Sequence, residues 1–379
     1  MPLLQFVNRV WYEAGAIKRI GAELQKLGVK RPLICTDQGI AAAGILDQVK
    51  AHWPEGLAWI VYDGTPPNPT EAAVKAALET YRAESCDGIV AIGGGSPIDL
   101  GKAVNLLASH PEPLAQYETA RKGQGKIGKV GPLIAIPTTA GTGTEVSVGT
   151  VIVTADGRKS TIASPYLIPD VAICDPELTL KLPRSLTAAT GMDAVTHCIE
   201  AYLSPLFNPI ADAIGLDGLK RAIGDGALER AVADGSDLAA RGDMMMAAIE
   251  GALAFTKGLG AVHSMSHAAG RIERLKLHHG TLNAVLLPPV LRFNAPHVTA
   301  KLDVLASAMG LKSGADIADA IVALNQRLGI PANLGAMGVS ADDVEEMVAY
   351  AVDDVSTLTN PIRPSAEDYR MLLQSSLSG

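Results

Sequence analysis

Short apolar, β-branched runs alternate with amphipathic stretches through the first half of the chain, and the texture then changes. Runs at 31–37, 58–62, 88–92 and 132–136 read as strands, and stretches near 39–54, 70–85 and 97–109 read as helices between them. This alternation predicts a parallel sheet covered by helices. Near 150–163 a Thr-Val-Ile-Val run meets Asp156-Gly157 and then Lys-Ser-Thr-Ile, and Asp-Gly supplies the turn of a hairpin. The last strand candidate is 171–174.

From Pro183 onward alanine, leucine and methionine recur at three-and-four spacing, with breaks at 207–209, 233–236 and 330–331, and no convincing strand follows. The pattern predicts an α/β domain over 1–180 and an all-helical domain over 181–379. There is no internal repeat or low-complexity tract.

At 379 residues the chain is long enough for two domains with buried cores. A net charge of −8 and a pI near 5.5 argue against nucleic-acid and anionic-membrane partners. The first ten residues lack the basic, apolar and small-residue pattern of a signal peptide, and no apolar stretch of about 20 residues offers a membrane span. A soluble, cytoplasmic protein is expected. Cys35, Cys86, Cys174 and Cys198 lie far apart with no Cys-x-x-Cys pair, which fits a reducing compartment and gives no support to a structural zinc or thioredoxin-like site.

Two segments carry the chemistry of a nucleotide site. Gly-Gly-Gly-Ser-Pro-Ile-Asp at 93–99 follows a strand and opens a helix, so Gly94, Gly95, Ser96 and Asp99 are candidates for a phosphate loop. Glycine admits close backbone approach, and a helix N-terminus offers free N–H groups and partial positive charge. A tight strand-to-helix turn is the bland alternative, since this is not the G-x-G-x-x-G fingerprint. The loop Pro-Thr-Thr-Ala-Gly-Thr-Gly-Thr-Glu at 137–145 gives hydroxyls and accessible backbone with little bulk, suited to phosphates and ribose. Asp37 at the end of the first strong strand can accept from a ribose 2′-hydroxyl and repel a 2′-phosphate, favouring NAD over NADP, or serve only as a turn or N-cap residue.

A second constellation lies in the helical half. Asp193 and His197 stand four residues apart, about one helical turn, and share a face. His263 and His267 repeat the spacing, and four of the eight histidines fall between 263 and 279. Any one of them alone reads as a core histidine, but the cluster reads as a cage of Asp193, His197, His263 and His279 around one divalent metal. One carboxylate with three imidazoles suits Fe(II) or Zn(II) and disfavours Mg(II) and Ca(II), which prefer oxygen shells. Cys198 is turned away by a helical step of about 100° and reads as core.

Together these motifs, with Asp175-Pro176 and Ala-Thr-Gly-Met-Asp-Ala at 189–194, resemble the iron-containing, group III alcohol dehydrogenase family of the dehydroquinate synthase-like fold, over nearly the whole chain. The resemblance implies an N-terminal Rossmann-like domain and an all-α C-terminal domain. It also implies the four metal ligands named above, His267 near substrate and nicotinamide, and a homodimer or larger homo-oligomer. It puts Asp37, Asn68, Gly95, Ser96, Thr138, Thr139, Thr142, Lys159 and Leu178 at positions that line the cofactor. The family commonly has Pro-His-Gly fourteen residues after the first histidine of that segment. Here the spacing to His279 is sixteen and His278 precedes it, so the glycine that follows favours His279 over its neighbour. Closer similarity, at 277–285 and 207–209, points to the 4-hydroxybutyrate dehydrogenase branch.

The expected chemistry is oxidation of an alcohol whose oxygen the metal holds, with hydride passing from the carbinol carbon to NAD and His267 either relaying the hydroxyl proton or only packing on the nicotinamide. Arg271, Arg274 and Lys276 form a basic segment that either grips the carboxylate of a semialdehyde or is a solvated helix end. A general short-chain alcohol or diol dehydrogenase shares the main motifs. A dehydroquinate synthase-like lyase would keep its NAD through the cycle.

Overall fold

Residues 8–378 are described by the computed structural model, and they divide into two units. One runs to Thr139 and resumes over Thr144–Lys181; the other consists of Ala140–Gly143 and the chain from Leu182 onward.

The first unit contains strands β1 (Arg9–Tyr12), β2 (Pro32–Cys35), β3 (Ile60–Tyr62), β4 (Gly88–Gly93), β5 (Leu133–Pro137), β6 (Gly149–Val153), β7 (Lys159–Ala163) and β8 (Val171–Cys174). Six of them form a parallel sheet in the order β1-β8-β5-β4-β2-β3, and β6 and β7 pair as an antiparallel hairpin. The hairpin turns at Gly157, whose φ of 77° is the left-handed conformation glycine allows. Helices α1 (Ile20–Leu27), α2 (Gln38–Ala42), α3 (Ile45–Lys50), α4 (Glu71–Ala83) and α5 (Gly95–Ser109) connect the strands.

Alternation along the strands supplies two apolar layers. Leu33, Cys35, Ile89, Ala91, Leu133 and Ala135 face one side, where Val74 and Leu78 of α4 and Leu100 and Val104 of α5 cover them. Ile34, Val90, Ile92, Ile134 and Ile136 face the other, against Ile20 and Leu24 of α1 and Ile45 and Val49 of α3. Each fully buried aliphatic side chain stabilises the fold by roughly 1.5–3 kcal/mol.

Two details differ from the sequence pattern. The stretch expected as one helix over 39–54 is two, because Gly44 adopts φ 71° between α2 and α3. Strand β1 was not foreseen; its Arg-Val-Trp-Tyr sequence has mixed polarity, and it gains its place by pairing with β8 at the sheet edge.

The second unit is helical: α6 (Arg184–Leu203), α7 (Pro209–Leu219), α8 (Ala227–Ala233), α9 (Leu238–Ala254), α10 (Ala261–Ala269), α11 (His279–Ala308), α12 (Ile317–Leu328), α13 (Val344–Asp353) and α14 (Ala366–Ser378). Helix α6 is enclosed by α7, α8, α9 and α11, which explains why it is buried on nearly every face. Small residues permit that enclosure: a Cβ on Gly191 would lie 2.3 Å from Leu228 Cδ1. Cys198, expected in the core, is buried there. Among the described residues this unit has no strand, and no single helix in the chain is long and apolar enough to cross a membrane.

Candidate functional site

In the helical unit, α6 places Asp193, His197 and Glu200 at i, i+4 and i+7, on one face, and all three are buried. Helix α10 brings His263, and α11 begins at His279. Asp193 Oδ1 lies 3.6 Å from His197 Nε2, 3.9 Å from His263 Nε2 and 3.7 Å from His279 Nε2. Donor atoms about 2.0–2.1 Å from a shared tetrahedral ion stand roughly 3.4 Å apart, and the three distances from Asp193 lie within about half an ångström of that spacing. The donor atoms of Asp193, His197 and His263 all fall within 4.8 Å of one another. His278 is exposed, its Nδ1 3.5 Å from Thr281 Oγ1, so it is His279 that reaches Asp193.

The surroundings present these lone pairs. Glu200 Oε2 is 2.6 Å from His263 Nδ1, and its other oxygen accepts from Val262 N at 2.8 Å. A proton held on Nδ1 by that carboxylate leaves Nε2 as a lone pair. Burial pushes His197 down to about 4, so its ring is neutral at pH 7. The Asn283 amide nitrogen lies 2.7 Å from Asp193 Oδ1 and 3.2 Å from both His263 Nε2 and His279 Nε2, so these three acceptors converge on one small volume.

His267 stacks on His279, with ring centroids 5.4 Å apart, and its Nδ1 lies 2.8 Å from Asp354 Oδ2. Burial raises the Asp354 carboxyl, but the His267 charge and the hydrogen bonds from His267 and Ser356 outweigh it and hold the group at about 2. Asp354 is therefore an ionised acceptor at neutral pH, and its pairing fixes the His267 proton on Nδ1.

Glu200, Asn283 and Asp354 carry this arrangement without having been anticipated. Helical spacing marks the first two, since Glu200 is three residues beyond His197 and Asn283 four beyond His279. Asp354 has no local mark, because only the packing of α10 on α13 brings it to His267.

In the sheet unit, the expected nucleotide residues gather at the C-terminal ends of adjacent parallel strands. Gly93 pairs with Pro137 at the ends of β4 and β5, and Thr138 N donates to Gly93 O at 2.9 Å. Gly94 caps α5 without a side-chain hydrogen bond, and a Cβ there would sit 3.3 Å from Thr139. Ser96 Oγ donates to the carbonyl of Pro67, beside Asn68. Thr138 Oγ1 is buried with no hydrogen-bond partner. Asp37 follows β2, next to β4 in the sheet, and strand order reverses between these two, since β3 lies on one side of β2 and β4 and β5 on the other. Open parallel sheets bind ligands at such a switch point, and an orphaned hydroxyl beside the half-buried glycine backbone of Gly94 and Gly95 fits a pyrophosphate.

Other candidates have structural engagements. Asp37 Oδ1 caps α2 by accepting from Ile40 N at 2.9 Å. Asp99, grouped by sequence with the phosphate loop, spends both oxygens inside the protein, on Thr144 Oγ1 at 2.6 Å and Val151 N at 3.0 Å. It joins the 137–145 loop to the hairpin, with the Lys102 and Lys159 charges opposing the upward push of burial on its carboxyl. Leu178 is buried with Ile92 and Ile136. Thr142 lies in Ala140–Gly143, which packs with the helical unit: a Cβ on Gly141 would lie 2.4 Å from Thr190 O, and one on Gly143 2.2 Å from Ala252 Cβ.

Residues 8–176 match the family model for iron-containing alcohol dehydrogenase, and residues 187–377 match that for the C-terminal part of the same family. The chain belongs to the iron-containing alcohol dehydrogenase family. It is accordingly an oxidoreductase of alcohols and aldehydes. It is 48% identical over 385 residues to 4-hydroxybutyrate dehydrogenase of Cupriavidus necator, with each chain covered in full. Among solved structures it resembles 1,3-propanediol oxidoreductase, at 34% identity and a TM-score of 0.93, covering 99% of this chain and 100% of that one. It also resembles the NAD+ complex of sulfoacetaldehyde reductase from Bifidobacterium kashiwanohense, at 26% identity and a TM-score of 0.88, covering 100% and 99%.

Proposed function

We propose that the chain is a metal-dependent, NAD(H)-linked dehydrogenase that interconverts 4-hydroxybutyrate and succinic semialdehyde. The observation that carries the chemistry is the single carboxylate oxygen of Asp193 facing three imidazole Nε2 atoms at 3.6–3.9 Å in a buried setting. The substrate pair is supported by the relative from Cupriavidus necator.

Asp193, His197, His263 and His279 would hold Fe(II), with Zn(II) as the alternative, and either metal supplies the Lewis acidity that lowers the pKa of an alcohol hydroxyl. Asp37, Asn68, Gly94, Gly95, Ser96, Thr138, Thr139, Lys159 and Leu178 would hold NAD, which supplies the hydride acceptor. The residues of the chain do the rest. Glu200 orients His263, and Asp354 holds the Nδ1 proton of His267 so that Nε2 can accept the hydroxyl proton. The His267 side chain keeps 17% of its surface exposed, a route for that proton to water.

Four buried cysteines without a disulfide among the described residues support a reducing, cytoplasmic setting. Exposed Leu206, Phe207 and Ile210 near the start of α7 support assembly into a homo-oligomer.

The test is NADH oxidation by enzyme reconstituted anaerobically with Fe(II), comparing kcat/KM for succinic semialdehyde and butyraldehyde. Preference for the semialdehyde is expected; preference for butyraldehyde would make the enzyme a general alcohol dehydrogenase. Activity should vanish on chelation and return with metal.

A further inference from the structure

Three cations follow α10, and the structure separates them. Arg274 spends its guanidinium on both oxygens of Asp343, each at 2.6 Å, and Lys276 is exposed in a left-handed turn. Arg271 differs from both. It is half-buried, its guanidinium carbon lies 3.6 Å over the Tyr350 ring, and its Nε is buried with no hydrogen-bond partner. Among the described residues no carboxylate pairs with it.

Its place in the packing is also defined. Helices α10 and α13 are in contact; His267 of α10 meets Asp354 just beyond α13, and Arg271 just beyond α10 meets Tyr350 of α13. Arg271 follows His267 by four residues, and Tyr350 precedes Asp354 by four. A guanidinium with an unmet Nε donor, stacked on an aromatic ring, is oriented for a carboxylate acceptor.

We propose that Arg271 is the anchor for the carboxylate of an ω-hydroxy acid whose hydroxyl end lies at His267. The assignment rests on the substrate reading above and adds the residue that recognises the acid. Tyr350 positions Arg271, and Arg274 has no part in recognition.

The experiment compares kcat/KM for succinic semialdehyde and butyraldehyde in Fe(II)-loaded wild-type enzyme and in the Arg271→Gln, Arg271→Lys and Arg274→Gln variants. In Arg271→Gln the preference for the acid should fall by roughly 10- to 100-fold, chiefly through KM for the semialdehyde, as expected for losing a charge-assisted contact. Arg271→Lys should restore part of the preference, and Arg274→Gln should leave it as in wild type. An unchanged preference in Arg271→Gln, equal loss on both substrates, or a rise in KM for NADH alone would overturn the anchor while leaving the substrate reading in place. Absence of any preference in the wild type would overturn the substrate reading and the anchor with it.

Discussion

His267 Nδ1 lies 2.8 Å from Asp354 Oδ2, across 87 residues of sequence. The pair commits Nδ1, and the proposed mechanism assigns the other ring nitrogen to the hydroxyl proton. Asp354→Asn removes the acceptor that fixes the tautomer, and kcat should fall by roughly 10- to 100-fold with metal content unchanged. His267→Ala should be at least as slow. Steady-state rates alongside elemental analysis check this, and full turnover by Asp354→Asn would remove the positioning role.

Glu200 acts on a different imidazole and should show a different signature. Replacing it with Gln keeps the size but weakens the hold on His263 Nδ1, and metal affinity should drop by roughly 10- to 100-fold. Competition against a chromophoric chelator measures it; unchanged affinity would make Glu200 a cap for Val262 N only.

Position 280, the second residue of α11, has no room for a side chain. A Cβ on Gly280 would lie 2.2 Å from Ala189 O and 3.2 Å from Asp193 Cβ. Gly280→Ala should therefore push α11 from α6, lowering stability by about 1–3 kcal/mol and displacing His279. Thermal melts and metal retention on gel filtration should both decline; a variant that melts and binds metal like wild type would contradict the packing.

On α9 and α7, Glu250 and Asp217 share Arg221, with Nε at 3.3 Å and 2.8 Å. Burial raises the Glu250 carboxyl from 4.5 to about 8, helped by Asp217 and opposed by Arg221. The folded state then holds a proton that the unfolded state has lost, so this group reduces stability as pH rises from about 4.5 to about 8. Glu250→Gln removes that titration. Its melting temperature relative to wild type should climb between pH 5 and pH 8; a difference constant across that range would show that Glu250 ionises normally.

How far the sequence reaches depends on whether a contact is local. Asp193 and His197 are legible because helical period alone brings them together, and the same period marks Glu200. The choice of His279 over His278 depends on the following glycine, and the reason is the approach of Gly280 to Ala189. Asp354 is illegible, since its partner is set by helix packing. Gly44 shows the reverse limit, as a glycine in an amphipathic stretch reads equally as a small helical residue or as the left-handed break it is.

Ala140–Gly143 stands in sequence between stretches of the sheet unit yet packs with α6 and α9. The helical half therefore cannot be inherited or transplanted as one continuous stretch. A gene cut at residue 181 would deliver a fragment missing the tetrapeptide that closes over Thr190 and Ala252, so chimaeras in this family must exchange that loop together with the helices or lose the fit between them.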